Sequence, residues 1–225
     1  RYTVVNPTVN NLKAVIKKGE KVQFPILGDT GTVPEFTSRN ESVATVSSDG
    51  IVKGVNSGVT YVDVKIGNIH KSYRIEVYAK GMYKIVNRAM YIVNHWKYSQ
   101  PKRMQRGYYD CSSLVWRAYS RYGTYFGARS YAPVAADICR WCMIHHKKVS
   151  GKMTEGQIQK MKFRAGDLIF KPGAKNGRYK GVYHVEMFTG YRVTGFTSKG
   201  KPVLSTEWAN RTTGYDAYGS IVERP

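Results

Sequence analysis

Residues 1–78 are built from short runs in which Val, Ile and Tyr alternate with polar side chains or cluster together. The runs are Ala14-Val15-Ile16, Val22-Gln23-Phe24, Ser42 to Val46, Ile51 to Val55, Thr60 to Ile66 and Tyr73 to Val77. Lys18-Gly19, Asp49-Gly50, Ser57-Gly58 and Gly67-Asn68 separate them. A two-residue period broken at this spacing by glycine-bearing turns predicts an all-β sandwich. Asp49-Gly50 in particular predicts a tight hairpin. His70 is placed in a loop, as an ordinary surface side chain.

The pattern changes at Tyr78-Ala79-Lys80-Gly81. Met82, Ile85, Val86, Ala89, Met90, Val93 and Trp96 recur at three- and four-residue steps, the signature of an amphipathic helix. A second helix is predicted from about Ser112 to Tyr122, stopped by Gly123. A third starts near Pro133 and runs to about His146. Strand-like runs follow: Asp167 to Phe170, Val182 to Thr189, Val203 to Thr206 and Ser220 to Val222. Helices followed by strands make an α+β domain. The chain is therefore read as multidomain, with a sandwich over residues 1–79 and an α+β domain over 80–225.

The length of 225 residues accommodates two cores, and 42% hydrophobic residues excludes a disordered chain. No run of about 18 apolar residues is present, so no transmembrane helix is expected. Arg1-Tyr2-Thr3-Val4 has neither a start Met nor a basic-then-apolar segment, which reads as a chain whose targeting signal has been removed. The net charge of +21 is uneven: residues 1–79 carry 10 basic and 7 acidic side chains, residues 80–225 carry 26 and 8. Such a field attracts anionic polymers, and charge alone does not choose among them. Three cysteines are too few and too odd in number for a disulfide scaffold.

Candidate chemistry concentrates in the second domain. Cys111 lies at the predicted start of an amphipathic helix, within Tyr108-Tyr109-Asp110-Cys111-Ser112-Ser113-Leu114-Val115. The positive end of a helix favours a thiolate, which is the nucleophilic form, and backbone N–H groups there can hold an oxyanion. Downstream, Tyr183-His184-Val185-Glu186-Met187 reads as a strand with His184 and Glu186 on one face and Val185 and Met187 on the other. Cys139 and Cys142, ahead of His145 and His146, invite a zinc reading. They lack a distant second ligand pair and fall in phase with Ala135 and Ile138, so a buried helix face is expected and no metal. His95, His145 and His146 are placed at helix ends. The stretch Lys171 to Gly181 reads as a basic, glycine-rich loop without a phosphate-loop motif. Together with Arg192, Lys199 and Lys201 it could grip acidic groups. Nothing beyond charge argues for nucleic acid, and none is expected.

Two resemblances sharpen this reading. Asn40 to Val55 followed by Gly58 to Val64 resembles the bacterial immunoglobulin-like domains of group two, over about residues 6–78. That implies a spacer or adhesion module with no catalytic residue. In the second domain Asp110-Cys111-Ser112, Leu114-Val115, Gly166-Asp167-Leu168-Ile169-Phe170, His184-Val185 and Gly190 stand in the order of the motifs of the NlpC-like cell-wall peptidases, which have a papain-like fold. The resemblance implies Cys111 as nucleophile and His184 as general base, then acid, with no cofactor. It also implies a third polar group on the next strand, often a histidine. That strand has none here, and Glu207 is the first choice, Ser205 the second and Asn210 the third. Asp110 and Ser112 match positions that help bind the substrate's amino-terminal end. Tyr98 matches a tyrosine near the thiol, with Tyr109 as its alternative. Glu186 replaces a glycine and is expected to contact substrate or histidine; Ser113 also replaces a glycine. The implied function is peptidoglycan hydrolysis, with cleavage of the γ-D-glutamyl to diamino-acid bond of the stem peptide. The alternatives are an N-acetylmuramoyl-L-alanine amidase of the same fold and an inactive wall-binding or adhesion protein. The implied partners are peptidoglycan stem peptides and anionic wall polymers, and the implied location is secreted or wall-associated.

Overall fold

The alternation in the first part of the chain is realised as two facing sheets. The computed structural model describes residues 13–23, 33–78, 80–196, 198, 202–209 and 219–225. Asn210, Lys199 and Lys201, for which the sequence suggests roles, lie outside the described residues, as does the side chain of Arg192. By contact the chain forms two compact units: Arg1–Lys80 with Tyr191–Ser205, and Gly81–Gly190 with Thr206–Pro225. The sequence pattern divides the chain once, near 79–81, and does not foresee the grouping of 191–205.

In the first unit the strands are β1 (Lys13–Lys17), β2 (Lys21–Gln23), β3 (Glu35–Ser38), β4 (Ala44–Val46), β5 (Ile51–Gly54), β6 (Gly58–Ile66) and β7 (Ile69–Tyr78). One sheet runs β1-β7-β6-β3 and the other β2-β5-β4. Their inward residues, Val62, Val64, Ile75 and Val77 from the first and Ala44 and Val52 from the second, share one core with Ile16 and Val43. Strand alternation makes this core, since each strand sends every second residue inward. Gly50 closes the β4–β5 hairpin at φ +81°, and a Cβ there would stand 2.8 Å from the Phe36 ring, so only glycine fits. β3, whose Phe36 packs on this core, is not foreseen by the sequence pattern. His70 proves to be the second residue of β7, opposite Lys65 and exposed, and not part of a loop.

After β7 the chain continues with α1 (Lys80–His95), β8 (Lys97–Tyr98), β9 (Tyr108–Tyr109), α2 (Cys111–Ser120) and α3 (Ala135–Ile144), whose residues from Gly81 onward belong to the second unit. β10 (Lys148–Ser150), α4 (Glu155–Gln159), β11 (Leu168–Pro172), β12 (Val182–Phe196), β13 (Pro202–Trp208) and β14 (Ile221–Glu223) follow. The five-stranded sheet has the order β10-β14-β11-β12-β13. The apolar face of α1 (Ile85, Val86, Ala89, Ile92), that of α2 (Leu114, Val115, Ala118, Tyr119) and that of α3 (Ile138, Cys139, Cys142) are buried, as are Leu168, Phe170, Val185, Met187 and Val222 of the sheet. α3 is shorter than predicted, beginning after Val134 and ending at Ile144.

The Gly-Asp-Leu string has a structural explanation. Gly166 turns at φ +96° and Tyr119 Oη donates to its carbonyl at 2.6 Å. Asp167, 1% exposed, accepts from the Arg164 N–H and from Arg224 Nε and Nη2 at 2.9, 2.7 and 2.8 Å. This pins the start of β11 to the strand end beyond β14. β11 in turn holds β12 in register, with Ile169 opposite Glu186 and Lys171 opposite His184. Lys171 and Pro172 therefore belong to a strand, and the basic loop starts only at Gly173.

Candidate active site

Cys111 is the first residue of α2 because Asp110 ends the extended segment before it. Asp110 has φ −122° and ψ −178°, and its Oδ1 accepts from the Ser113 N–H at 2.7 Å. Ser113 Oγ accepts from the Asp110 N–H at 2.8 Å, completing a capping box. Ser112 Oγ also donates to Asp110 Oδ1, at 3.2 Å. The serine that replaces glycine at 113 is thus half of the cap. Cys111 is buried, 6% exposed, with its sulfur at the positive end of the helix.

His184 and Glu186 share a face of β12, as alternation predicts, and are 2 residues apart along one strand. His184 Nε2 lies 2.5 Å from Glu186 Oε1. The imidazole is also hydrogen-bonded to the Cys111 side chain. Burial acts to lower the basicity of His184. The hydrogen bonds to Cys111 and Glu186, with the charge of Glu186, outweigh it and push the pKa up to about 10. Glu186 is fully buried, and its charge, after burial itself, helps raise the Tyr109 phenol.

Tyr98 and Tyr109 sit side by side on the parallel pair β8–β9, rings 5.6 Å apart and edge to face. The Tyr98 hydroxyl is hydrogen-bonded to the Cys111 backbone, and burial, then the charges of Cys111 and Asp110, push its pKa up to about 12. It stays a protonated donor beside the sulfur. Glu207 lies on β13, half-buried, beside Trp208, whose ring is 4.9 Å from Lys171 Nζ. Ser205 is two residues before it, also half-buried.

One participant had no signal in the sequence. Arg103 Nη1 lies 3.3 Å from Asp110 Oδ2, while Nη2 donates to the carbonyls of Ala132 and Pro133. Nothing in the local pattern sets it apart from the other 35 of the chain's 36 Lys and Arg.

Cys139 and Cys142 lie on the buried face of α3. Burial, with the Glu223 charge, pushes Cys139 to about 12, and the same causes push Cys142 higher. Among the described residues no group of three or more His, Cys, Asp or Glu could hold a metal ion. His145 and His95 each close a helix, with Nδ1 at 2.7 and 2.8 Å from the carbonyls of Trp141 and Tyr91.

A thiol at a helix start, hydrogen-bonded to an imidazole that is itself held by a carboxylate, is the arrangement of the cysteine hydrolase class. The NlpC/P60 family model matches residues 95–211, and the chain belongs to that family. The family implies a cell-wall peptidase, and its members are generally cysteine peptidases. No curated protein matches the chain.

Among solved structures, domains 4 and 5 of the S-layer protein SbsC are 22% identical over 31% of this chain, with a TM-score of 0.27. The chain covers 49% of that structure, about half its length. A GH10 xylanase from termite gut that contains a bacterial Ig-like domain is 17% identical over 38% of this chain and 24% of its own, with a TM-score of 0.28. An intimin mutant from EHEC O157:H7 is 14% identical over 86% and 87%, with a TM-score of 0.25. Scores this low describe local likeness and carry nothing about function.

Proposed function

We propose that the chain is a peptidoglycan endopeptidase acting through Cys111, His184 and Glu186. One observation carries the proposal: a buried imidazole placed between the Cys111 thiol and the Glu186 carboxylate, the latter at 2.5 Å. The thiolate attacks the scissile carbonyl carbon, and the Tyr98 hydroxyl, which accepts from the Cys111 N–H, donates to the oxyanion. The imidazolium gives its proton to the leaving amine as the C–N bond breaks, leaving a thioester. Water then loses a proton to the neutral imidazole, attacks the thioester and releases the acid. Glu186 fixes the ring and stabilises its charged form, the role expected first of Glu207 from the sequence.

By resemblance, the bond is the γ-D-glutamyl to diamino-acid link, with the amidase bond as the alternative. The first unit, a two-sheet sandwich resembling bacterial immunoglobulin-like domains, spaces or docks the enzyme on the wall, and the protein works outside the cell. No helix of the described residues is long and apolar enough to cross a membrane.

The test is mass spectrometry of muropeptides released by the chain and by Cys111→Ala. Stem peptides cut before the diamino acid are expected from the first and none from the second. Intact stem peptides freed from the sugar would move the assignment to the amidase. Identical products from both proteins would defeat it. In parallel, iodoacetamide at neutral pH should label Cys111 ahead of Cys139 and Cys142. Equal, slow labelling of all three would point to the inactive wall-binding alternative.

A further inference from the structure

We propose that Arg103 sets substrate specificity. By pairing with Asp110 it removes the anion beside the nucleophile, so the site takes stem peptides with an acylated amino end and not peptides with a free α-ammonium. The proposal rests on the reading of the site as a stem-peptide hydrolase.

An aspartate next to the catalytic thiol would ordinarily attract a cationic substrate terminus, and the family resemblance implies that use for Asp110 and Ser112. Here the carboxylate is already committed. Asp110 is 4% exposed, and its Oδ1 accepts from the Ser113 N–H and Ser112 Oγ at 2.7 and 3.2 Å. Its Oδ2 faces Arg103 Nη1 at 3.3 Å. The guanidinium is not a loose surface cation. Its side chain is 20% exposed, and Nη2 is anchored on the carbonyls of Ala132 and Pro133. The Arg103 segment is itself fastened, since Arg117 Nη2 donates to the carbonyls of Arg103, Met104 and Gln105 at 3.2, 2.7 and 3.3 Å.

An incoming ammonium would have to displace this fork from Asp110 and would meet its positive charge on the way. An acylated amine is neutral and meets no such barrier. The surrounding domain, with 26 basic against 8 acidic side chains over residues 80–225, acts in the same direction. In polymeric peptidoglycan the stem peptide's amino end is acylated by the sugar's lactyl group. The site is thus suited to the intact wall and not to peptides already freed from it.

Two stem peptides that differ only in N-terminal acetylation decide the matter. The wild-type chain should cleave the acetylated peptide with kcat/KM at least equal to that of the free-amine peptide. Arg103→Gln should shift the ratio toward the free amine by about tenfold or more, equivalent to about 1.4 kcal/mol. Arg103→Lys, which keeps the charge, should stay near the wild-type ratio. Adding Asp110→Asn, which can still cap α2, to Arg103→Gln should abolish the shift, because the freed carboxylate that attracts the ammonium is gone, and circular dichroism of each variant checks that it is folded. A wild-type preference for the free amine, an unmoved ratio in folded Arg103→Gln, or a shift that persists when Asp110→Asn is added to Arg103→Gln would overturn the proposal. Calorimetric binding of the same peptides to Cys111→Ala gives the ratio independently of turnover. Absent cleavage therefore strikes the hydrolase reading, while the binding ratio still decides this one.

Discussion

Glu186 replaces a glycine of the family pattern two residues after the histidine, and a strand places it beside the same ring. In the proposed reading, a carboxylate supplied by the histidine's own strand takes the part that the sequence assigns first to Glu207. Glu186→Gln should lower kcat by about 10²- to 10⁴-fold, while Glu207→Gln should change it by no more than a few-fold. The pH profile separates orientation from packing. The His184 pKa is raised above the 6.5 of a free imidazole to about 10, with Glu186 supplying part of the rise through its hydrogen bond and charge. Removing that carboxylate lowers it, so the alkaline limb of kcat/KM should move to lower pH in Glu186→Gln. An unmoved limb would show that Glu186 is only a packing residue. The sequence made the His184–Glu186 pairing legible, because it needs only the strand period. It could not rank Glu186 above Glu207, because that choice depends on which carboxylate reaches the ring.

At the level of elements, the helix that starts at Cys111 and the strand paired with that of His184 are each held by one buried aspartate. Asp110 caps α2, a role not foreseen from the sequence, where the resemblance suggested substrate binding for it. Asp167 ties the start of β11 to Arg224, 57 positions away, and no local pattern announces such a partner. Arg224→Ala takes two hydrogen bonds from the Asp167 carboxylate, 1% exposed, and leaves it that of the Arg164 N–H. With Arg224 about a third exposed, the expected cost is about 1–3 kcal/mol in urea unfolding at neutral pH. Burial raises the Asp167 pKa, and Arg224 opposes that rise. Without the arginine the carboxyl protonates at higher pH and loses its unpaired charge. The deficit should therefore shrink as pH falls, and a deficit that grows would contradict this account. The long periodic elements α1, β6 and β7 were legible because a period of 3.6 or of two runs through each. β3, α4 and the pair β8–β9 are too short for a period to register, and contacts from outside the segment stabilise them.

Across the whole molecule, the charge of +21 should show in how the protein holds to a wall carrying anionic polymers. Retention on sacculi should fall steeply between about 50 and 500 mM salt, as screening shortens from roughly 14 to 4 Å. Sacculi stripped of phosphate polymers should retain less at low salt, and equal retention would leave the charge without this role. The sequence by itself determined what depends on spacing along the chain. This covers the β-rich first part, the change to helices near residue 80, a cysteine at a helix start, and a histidine and glutamate on one strand face. Each follows from a period of two or of 3.6 and from the end of a helix. Only tertiary structure decided that Nε2 of His184 faces Glu186, that Arg103 rather than solvent meets Asp110, that Asp167 serves Arg224, and that the arm 191–205 groups with the first unit. These are encounters between side chains remote in sequence. Their energies depend on burial and on distances of a few ångström, and no pattern along the chain encodes either.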